Sequence, residues 1–458
     1  MKQSLKYIFF SLGLISLGVA SYFGYTLWRV LSTGTAYQAK QFCSGVFVSG
    51  RTRESIFNQD VLAEIKGLSA LEQSIVKSIQ VKIERPQQSV TASIFGLAKH
   101  QAIFRYGLGC TLVIASSQAE LRSPLKPMDL VPQKLDEQWL LGQTDRESPE
   151  INQKLIKEAL NRVFHPQQHT RAVVIVYKGQ IIAERYAPGF SAQMPLPGWS
   201  MTKSVINALV GILVKSGKLS LTDKNLMPEW NNRGDRRREI TLDSMLRMSS
   251  GLKFNETESN PLGDLIQMLY GRSNTAVYAA NQPLEAAPDT KWQYSSGTTN
   301  IISRVIRNAL SNDADYLAFP RRALFDRLGM KSAVLEQDAS GTFVGSSFMY
   351  ATARDWARFG LLYLQDGVWE GQRILPEGWV KYSRTPTELS PKKNYGAHFW
   401  LMDVATLSGK NQILTAQGFQ DQYIAIIPSH QLVIVHLGKN ENATHQQFIP
   451  QILAAFAK

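Results

Sequence analysis

Gly198-Trp-Ser-Met-Thr-Lys-Ser-Val-Ile-Asn-Ala-Leu-Val-Gly-Ile-Leu-Val-Lys-Ser-Gly217 decides how this chain is read. The stretch predicts a helix that stops at Gly217, where a residue free to adopt positive φ closes the last turn. Met201, Val205, Ile206, Leu209, Val210, Ile212, Leu213 and Val214 point in almost every direction around it, and a helix apolar nearly all round belongs in a domain core. Yet Ser200, Lys203, Ser204 and Asn207 fall at i, i+3, i+4 and i+7, a polar stripe up one side of the N-terminal end. Burying a lysine is unfavourable unless it is paired or neutral. A lysine one turn from a serine on a buried helix therefore calls for a chemical explanation.

A serine nucleophile with a lysine base supplies one. The hydroxyl needs a neighbour to take its proton, and bringing a lysine from about 10.4 to about 7 takes roughly 4–5 kcal/mol, which only a desolvated site provides. Ser-x-x-Lys alone chooses nothing, since Ser74/Lys77, Ser123/Lys126, Ser250/Lys253 and Ser390/Lys393 match it too. Only Ser200 has a buried helix beneath it; the structural alternative is a satisfied core serine beside a snorkelling lysine. Two further stretches favour chemistry. Lys291-Trp-Gln-Tyr294-Ser-Ser296-Gly offers a phenol able to relay a proton, or simply a tyrosine in a helix-start turn. Ala416-Gln417-Gly418-Phe419 runs into a strand and brings a glycine where substrate lies against backbone, or a bend. The N–H groups of Ser200 and Phe419 are then candidates for an oxyanion hole.

Working outward, the chain has 458 residues, 44% hydrophobic and 19% charged, which excludes a disordered chain, a collagen, a coiled coil and a many-helix transporter. Lys+Arg 50 against Asp+Glu 37 gives +13, an attraction to anionic surfaces in general. Lys2 and Lys6 precede an uncharged run, Tyr7 to Trp28, which at about 1.5 Å per residue spans roughly 33 Å as a helix, enough for a bilayer core. Residues 1–35 are thus expected to be a membrane anchor or a cleaved signal, with the bulk of the chain on the periplasmic, extracytoplasmic side of an inner membrane. Residues 36–121 read as a small α+β domain, with strands at Cys43-Ser-Gly-Val-Phe-Val and Ser78-Ile-Gln-Val-Lys-Ile and a helix over Asp60–Ser69. In an exported chain Cys43 and Cys110 can close a disulfide there; the alternative is two buried thiols. Residues 122–147, rich in Pro, Asp, Gln and Glu, read as a linker.

From 148 to 458 the pattern is α+β. An amphipathic helix over Ile151–Phe164 leads into a hairpin, Ala172-Val-Val-Ile-Val with Ile181-Ile-Ala-Glu-Arg-Tyr. A second hairpin, Tyr423-Ile-Ala-Ile-Ile with Leu432-Val-Ile-Val-His-Leu, precedes a C-terminal helix through Phe456. One antiparallel sheet built from both ends, flanked by helices and carrying a large helical insertion, is expected.

Trp199-Ser-Met-Thr-Lys-Ser, Leu246-Arg-Met-Ser-Ser-Gly-Leu, Trp292-Gln-Tyr-Ser-Ser-Gly, Met349-Tyr-Ala-Thr-Ala-Arg-Asp-Trp-Ala-Arg-Phe-Gly and Gly418-Phe-Gln-Asp-Gln together resemble the penicillin-recognising serine hydrolases. Within that superfamily they are similar to the class C β-lactamase-like branch, with its esterases and 6-aminohexanoate-dimer hydrolase. The resemblance covers residues 150–458 and implies a β-lactamase/transpeptidase-like fold with no cofactor or metal. It also implies Ser200 as acyl-forming nucleophile, Lys203 as base, Tyr294 as proton shuttle and Ser296 as a secondary polar contact. One departure matters: the basic Lys-Thr-Gly triplet that holds a β-lactam carboxylate is here Gln417-Gly418-Phe419, and the tyrosine motif ends in Ser296 instead of Asn. Both point to an uncharged amide or ester, small or peptide-like. A D-Ala-D-Ala peptidase or weak β-lactamase is the second reading, and a non-catalytic wall-binding protein on a hydrolase fold the third. Gly-x-Ser-x-Gly, Walker, dinucleotide and His-Glu-x-x-His motifs are missing. His165-Pro-Gln-Gln-His169 lacks a third ligand cluster, and Arg233, Arg236, Arg237 and Arg238, interleaved with Asp235 and Glu239 and without aromatics, do not suggest nucleic acid.

Overall fold

The computed structural model of the chain describes residues 2–65, 69–122, 151–406, 409–440 and 444–456, so the expected linker lies outside them apart from Arg122. Helix α1 (Lys2–Cys43) opens the chain. From Leu31 onward it buries Leu31, Ala36, Ala39 and Phe42 in one cluster with Val90, Ala92 and Ala102. These last three belong to a four-stranded antiparallel sheet, in the order β1 (Gln80–Glu84), β2 (Ser89–Ile94), β3 (Ala98–Arg105) and β4 (Gly109–Leu112).

Several expectations change here. Among the described residues no helix is long and apolar enough to cross a membrane, so the spanning segment expected over Tyr7–Trp28 is not found, although that run lies inside α1. Nor does a boundary fall at 35: the helix continues past it, and protein covers its C-terminal part. Cys43–Val48 is no strand but the end of α1 and a π-helical turn, Ser44–Val48. The β propensity of Val46-Phe-Val is overridden because the helical path carries Ser44 onto a buried carboxylate. Over Asp60–Ser69 the described part holds only a π-helical turn, Phe57–Val61, and the short helical piece Leu62–Glu64. The sulfurs of Cys43 and Cys110 meet, with Cα atoms 6.0 Å apart.

The second region begins with α2 (Gln153–Val163), β5 (Thr170–Tyr177) and β6 (Gln180–Tyr186). The β5–β6 turn is Lys178-Gly179, both at positive φ (48° and 81°), the geometry a two-residue turn needs between right-twisted strands. Helices α3 (Thr202–Lys215), α4 (Ser296–Asn308) and α5 (Ala353–Leu364) follow, then β7 (Trp400–Thr406), β8 (Gly409–Gly418), β9 (Gln422–Ile427), β10 (Leu432–Gly438) and α6 (His445–Leu453). The sheet runs β7-β8-β9-β10-β5-β6, antiparallel throughout. Strand β10 pairs with β5, Ile434 opposite Ile175, so the two ends of the region close on each other as expected. Helices α2 and α6 cover one face through Ile156, Leu160, Ile449 and Ile452, packed with Val173 and Ile175. The opposite face lies toward α5 and α3.

What joins the two regions is polar as well as apolar. One apolar cluster runs from Leu31 of α1 to Leu437 of β10. At its border Glu336, fully buried, accepts from Lys40, from Ser44 Oγ at 2.8 Å and from the Cys110 N–H at 2.7 Å. Both oxygens of a desolvated carboxylate thereby have donors. Glu336→Ala should lower stability by about 3 kcal/mol by stranding the Lys40 ammonium, while the double change Lys40→Met/Glu336→Leu stays closer to the native value. Denaturant midpoints of the three chains check this, and equal losses in the single and double variants would contradict it.

Candidate active site

Helix α3 is preceded by a tight turn, Trp199–Met201, in which Trp199 sits at φ 49°. A bulky residue in the left-handed region is strained, and here the strain turns the chain so that Ser200 heads the helix. Met201, Val205, Ile206, Leu209, Val210 and Leu213 vanish into the core. The polar stripe divides in two. Its lower half is structural: Ser204 Oγ donates to the His398 carbonyl (2.7 Å) and Asn207 Nδ2 to that of Ala397 (2.9 Å). Asn207 Oδ1 in turn accepts from Tyr363 (2.6 Å) and Trp379 (2.9 Å).

The upper half is the site. Lys203 is 1% exposed, and its Nζ donates to Ser200 Oγ (2.9 Å), Ser296 Oγ (3.0 Å) and the Ser346 carbonyl (3.0 Å). Two of these partners fix the amine so that the third contact falls on Ser200. Burial lowers Lys203 to about 8, against the opposing pull of Glu256 and Glu258. His398, whose Nδ1 lies 3.0 Å from the Lys203 carbonyl, is held down near about 3 by burial and then by the lysine's charge, so it stays neutral. Tyr294 packs below Lys203, Nζ 4.8 Å from the ring centroid, and stacks on Trp400. Its hydroxyl lies beside Ser200, a contact that favours the phenolate, but burial, then Glu256, outweigh it and raise its hold on its own proton. The sequence places Ser200, Lys203, Tyr294 and Ser296 in two separate motifs, and the fold brings all four together.

Gly418 and Phe419 end β8 beside the serine. A Cβ at Gly418 would meet the Gly198 carbonyl at 2.1 Å and the Ser200 nitrogen at 3.2 Å, so only glycine lets the strand end approach this closely. The Phe419 ring meets Trp199 edge-on, centroids 5.9 Å apart. Gln417 turns aside, its Nε2 bonded to Thr415 Oγ1 at 2.8 Å. A cleft of about 480 Å³ opens here, lined by Gln417, Gly418 and Phe419.

Three acids at this site escaped the sequence reading. Glu256 accepts from the Ser296 N–H (2.8 Å) and from Ser296 Oγ, and desolvation raises it despite the Lys203 charge. Glu258 opens onto the cleft and is raised to about 7 by desolvation and then by Glu256. Glu64, from the N-terminal region, lines the same cleft and pairs with Lys439 at 3.0 Å. Glu256-Thr-Glu258 lies in a loop where no period marks it, and Glu64 falls in a segment that showed no chemistry; neither carried a local signal. Among the described residues no group of three or more His, Cys, Asp or Glu side chains is spaced to hold a metal ion.

Residues 158–447 match the family model described as beta-lactamase. The 6-aminohexanoate-dimer hydrolase of Paenarthrobacter ureafaciens is 23% identical over 226 residues, 46% of this chain and 56% of that protein. The chain thus spans just over half the length of that curated relative. Among solved structures, a Bacillus anthracis protein provisionally described as a 6-aminohexanoate-dimer hydrolase superposes with TM-score 0.53 at 23% identity, covering 65% of this chain and 79% of its own. An octameric penicillin-binding protein homologue from Pyrococcus abyssi gives 0.52 at 15% identity over 66% and 77%. These structural likenesses are likenesses of fold.

The Gly418 contact makes a prediction. Gly418→Ala should push the strand end off Ser200 and lower kcat/KM by about a hundredfold, the scale of one lost oxyanion donor, while the melting temperature moves little. Steady-state rates and thermal melts check it.

Proposed function

The chain belongs to the beta-lactamase family, and from that premise we propose that it is a serine hydrolase opening an amide or ester bond through an acyl-enzyme on Ser200. The observation that carries this is the buried Lys203 amine 2.9 Å from Ser200 Oγ. Lys203 takes the hydroxyl proton as Oγ attacks the substrate carbonyl. The oxyanion that forms is taken by the N–H groups of Ser200 and Phe419, a role supported by the close approach of Gly418 to the Ser200 nitrogen. Tyr294, in contact with Ser200, relays the proton to the leaving amine or alcohol. Water then follows the same path in reverse and frees Ser200. The uncharged Gln417-Gly418-Phe419 segment favours a substrate that brings no carboxylate to that edge.

We place the catalytic region outside the cytoplasm. In favour are Lys2 and Lys6 ahead of the apolar run and the Cys43–Cys110 pairing, which suits an oxidising compartment. Maleimide labelling of the two cysteines only after reduction is the expected result; free thiols in the native chain would overturn it.

Two outcomes test the chemistry. Ser200→Ala should abolish turnover of a chromogenic ester and acylation detected by intact mass; retained turnover sinks the assignment. For the native chain kcat/KM should rise as pH increases through about 8, because only the deprotonated Lys203 is a base. A pH–rate profile with no limb in that range would contradict the lysine's role.

A further inference from the structure

The base does not stand alone. Lys203 Nζ donates to Ser296 Oγ at 3.0 Å, and Ser296 Oγ donates onward to Glu256 Oε1. The Ser296 N–H, at the start of α4, fixes the other carboxylate oxygen at 2.8 Å. Ser296 is held in turn by its neighbour Ser295, whose side chain caps the helix by accepting from the Thr298 N–H at 3.1 Å. Cation, hydroxyl and carboxylate therefore form a continuous chain of donors and acceptors that ends one contact away from the nucleophile. The position occupied by Ser296 matters, because a hydroxyl both accepts and donates through one atom and so can pass a proton along.

Resting on the Ser200–Lys203 reading above, we propose that Glu256 is a positioning residue that acts on Lys203 through Ser296, its charge holding the ammonium proton and so setting the pH at which the base becomes free. At lower pH the proton rests on Lys203, hydrogen-bonded through Ser296 to the Glu256 carboxylate; as pH rises it leaves to solvent, so ammonium becomes amine while the carboxylate keeps its charge. The amine lone pair then accepts the proton of Ser200. Burial lowers Lys203, and the Glu256 charge opposes it. Other titratable groups face the lysine: Glu258 from the same loop, whose charge also favours the ammonium, the Tyr294 phenol and the neutral His398.

The test uses the full chain and the rate of Ser200 labelling by a fluorophosphonate, read against pH. With its anionic charge removed, Glu256→Gln no longer favours the ammonium, so the acidic limb should move down by about one pH unit. Glu256→Asp, which keeps the charge, should leave the limb near its native place and shows that the loop still folds. In a Ser296→Ala background, Glu256→Gln should move the limb by less than half as much. A limb unmoved in Glu256→Gln, one moved to higher pH, or an equal displacement without Ser296 would overturn the proposal. Native chain that takes no label would overturn both this and Ser200 as the nucleophile, whereas labelling with a fixed limb counts against the Glu256 role alone.

Discussion

A single desolvated cation organises the middle of this molecule. The Lys203 ammonium sits where water does not reach, and the protein compensates with three contacts aimed at one nitrogen: two hydroxyls and the Ser346 carbonyl. Among the described residues no direct salt bridge holds it; the Glu256 carboxylate reaches it through Ser296. An ion pair in contact would have favoured the charged form strongly. Setting the anion one hydroxyl away leaves the amine within reach of neutrality while still satisfying its donors.

That arrangement needs rigid supports from several directions. Asn207, a turn and more below Lys203, gathers Tyr363 and Trp379 and ties α3 to the segment before β7. Ser346 is positioned by its N–H bond to Asn300 of α4 at 3.1 Å. Gly418 brings β8 against the first turn of the helix at a distance no other residue tolerates. Because α4, β8 and the 346 segment are far apart in sequence, the site is a property of the closed sheet and its insertion together.

Much of this was legible in the amino-acid order. The 198–217 helix, its polar stripe, the two hairpins and the pairing of the chain ends follow from period, turn chemistry and glycine placement. Ser200, Lys203, Tyr294 and Ser296 were found because each sits in a local pattern. Glu256 was not, since a loop acid says nothing about which hydroxyl it will hold 40 residues away. The Ser44–Val48 turn was misread for a related reason: local β-branched content does not reveal that a distant carboxylate, Glu336, takes the Ser44 side chain.

Glu64 reaches the cleft from ahead of residue 158, where the family match begins. The lining of that cleft thus comes from two stretches of polypeptide, one inside the family match and one ahead of it. A version starting near residue 150 would keep the nucleophile and its base, yet bare part of the shared apolar cluster and strip Glu336 of its donors Lys40, Ser44 and Cys110.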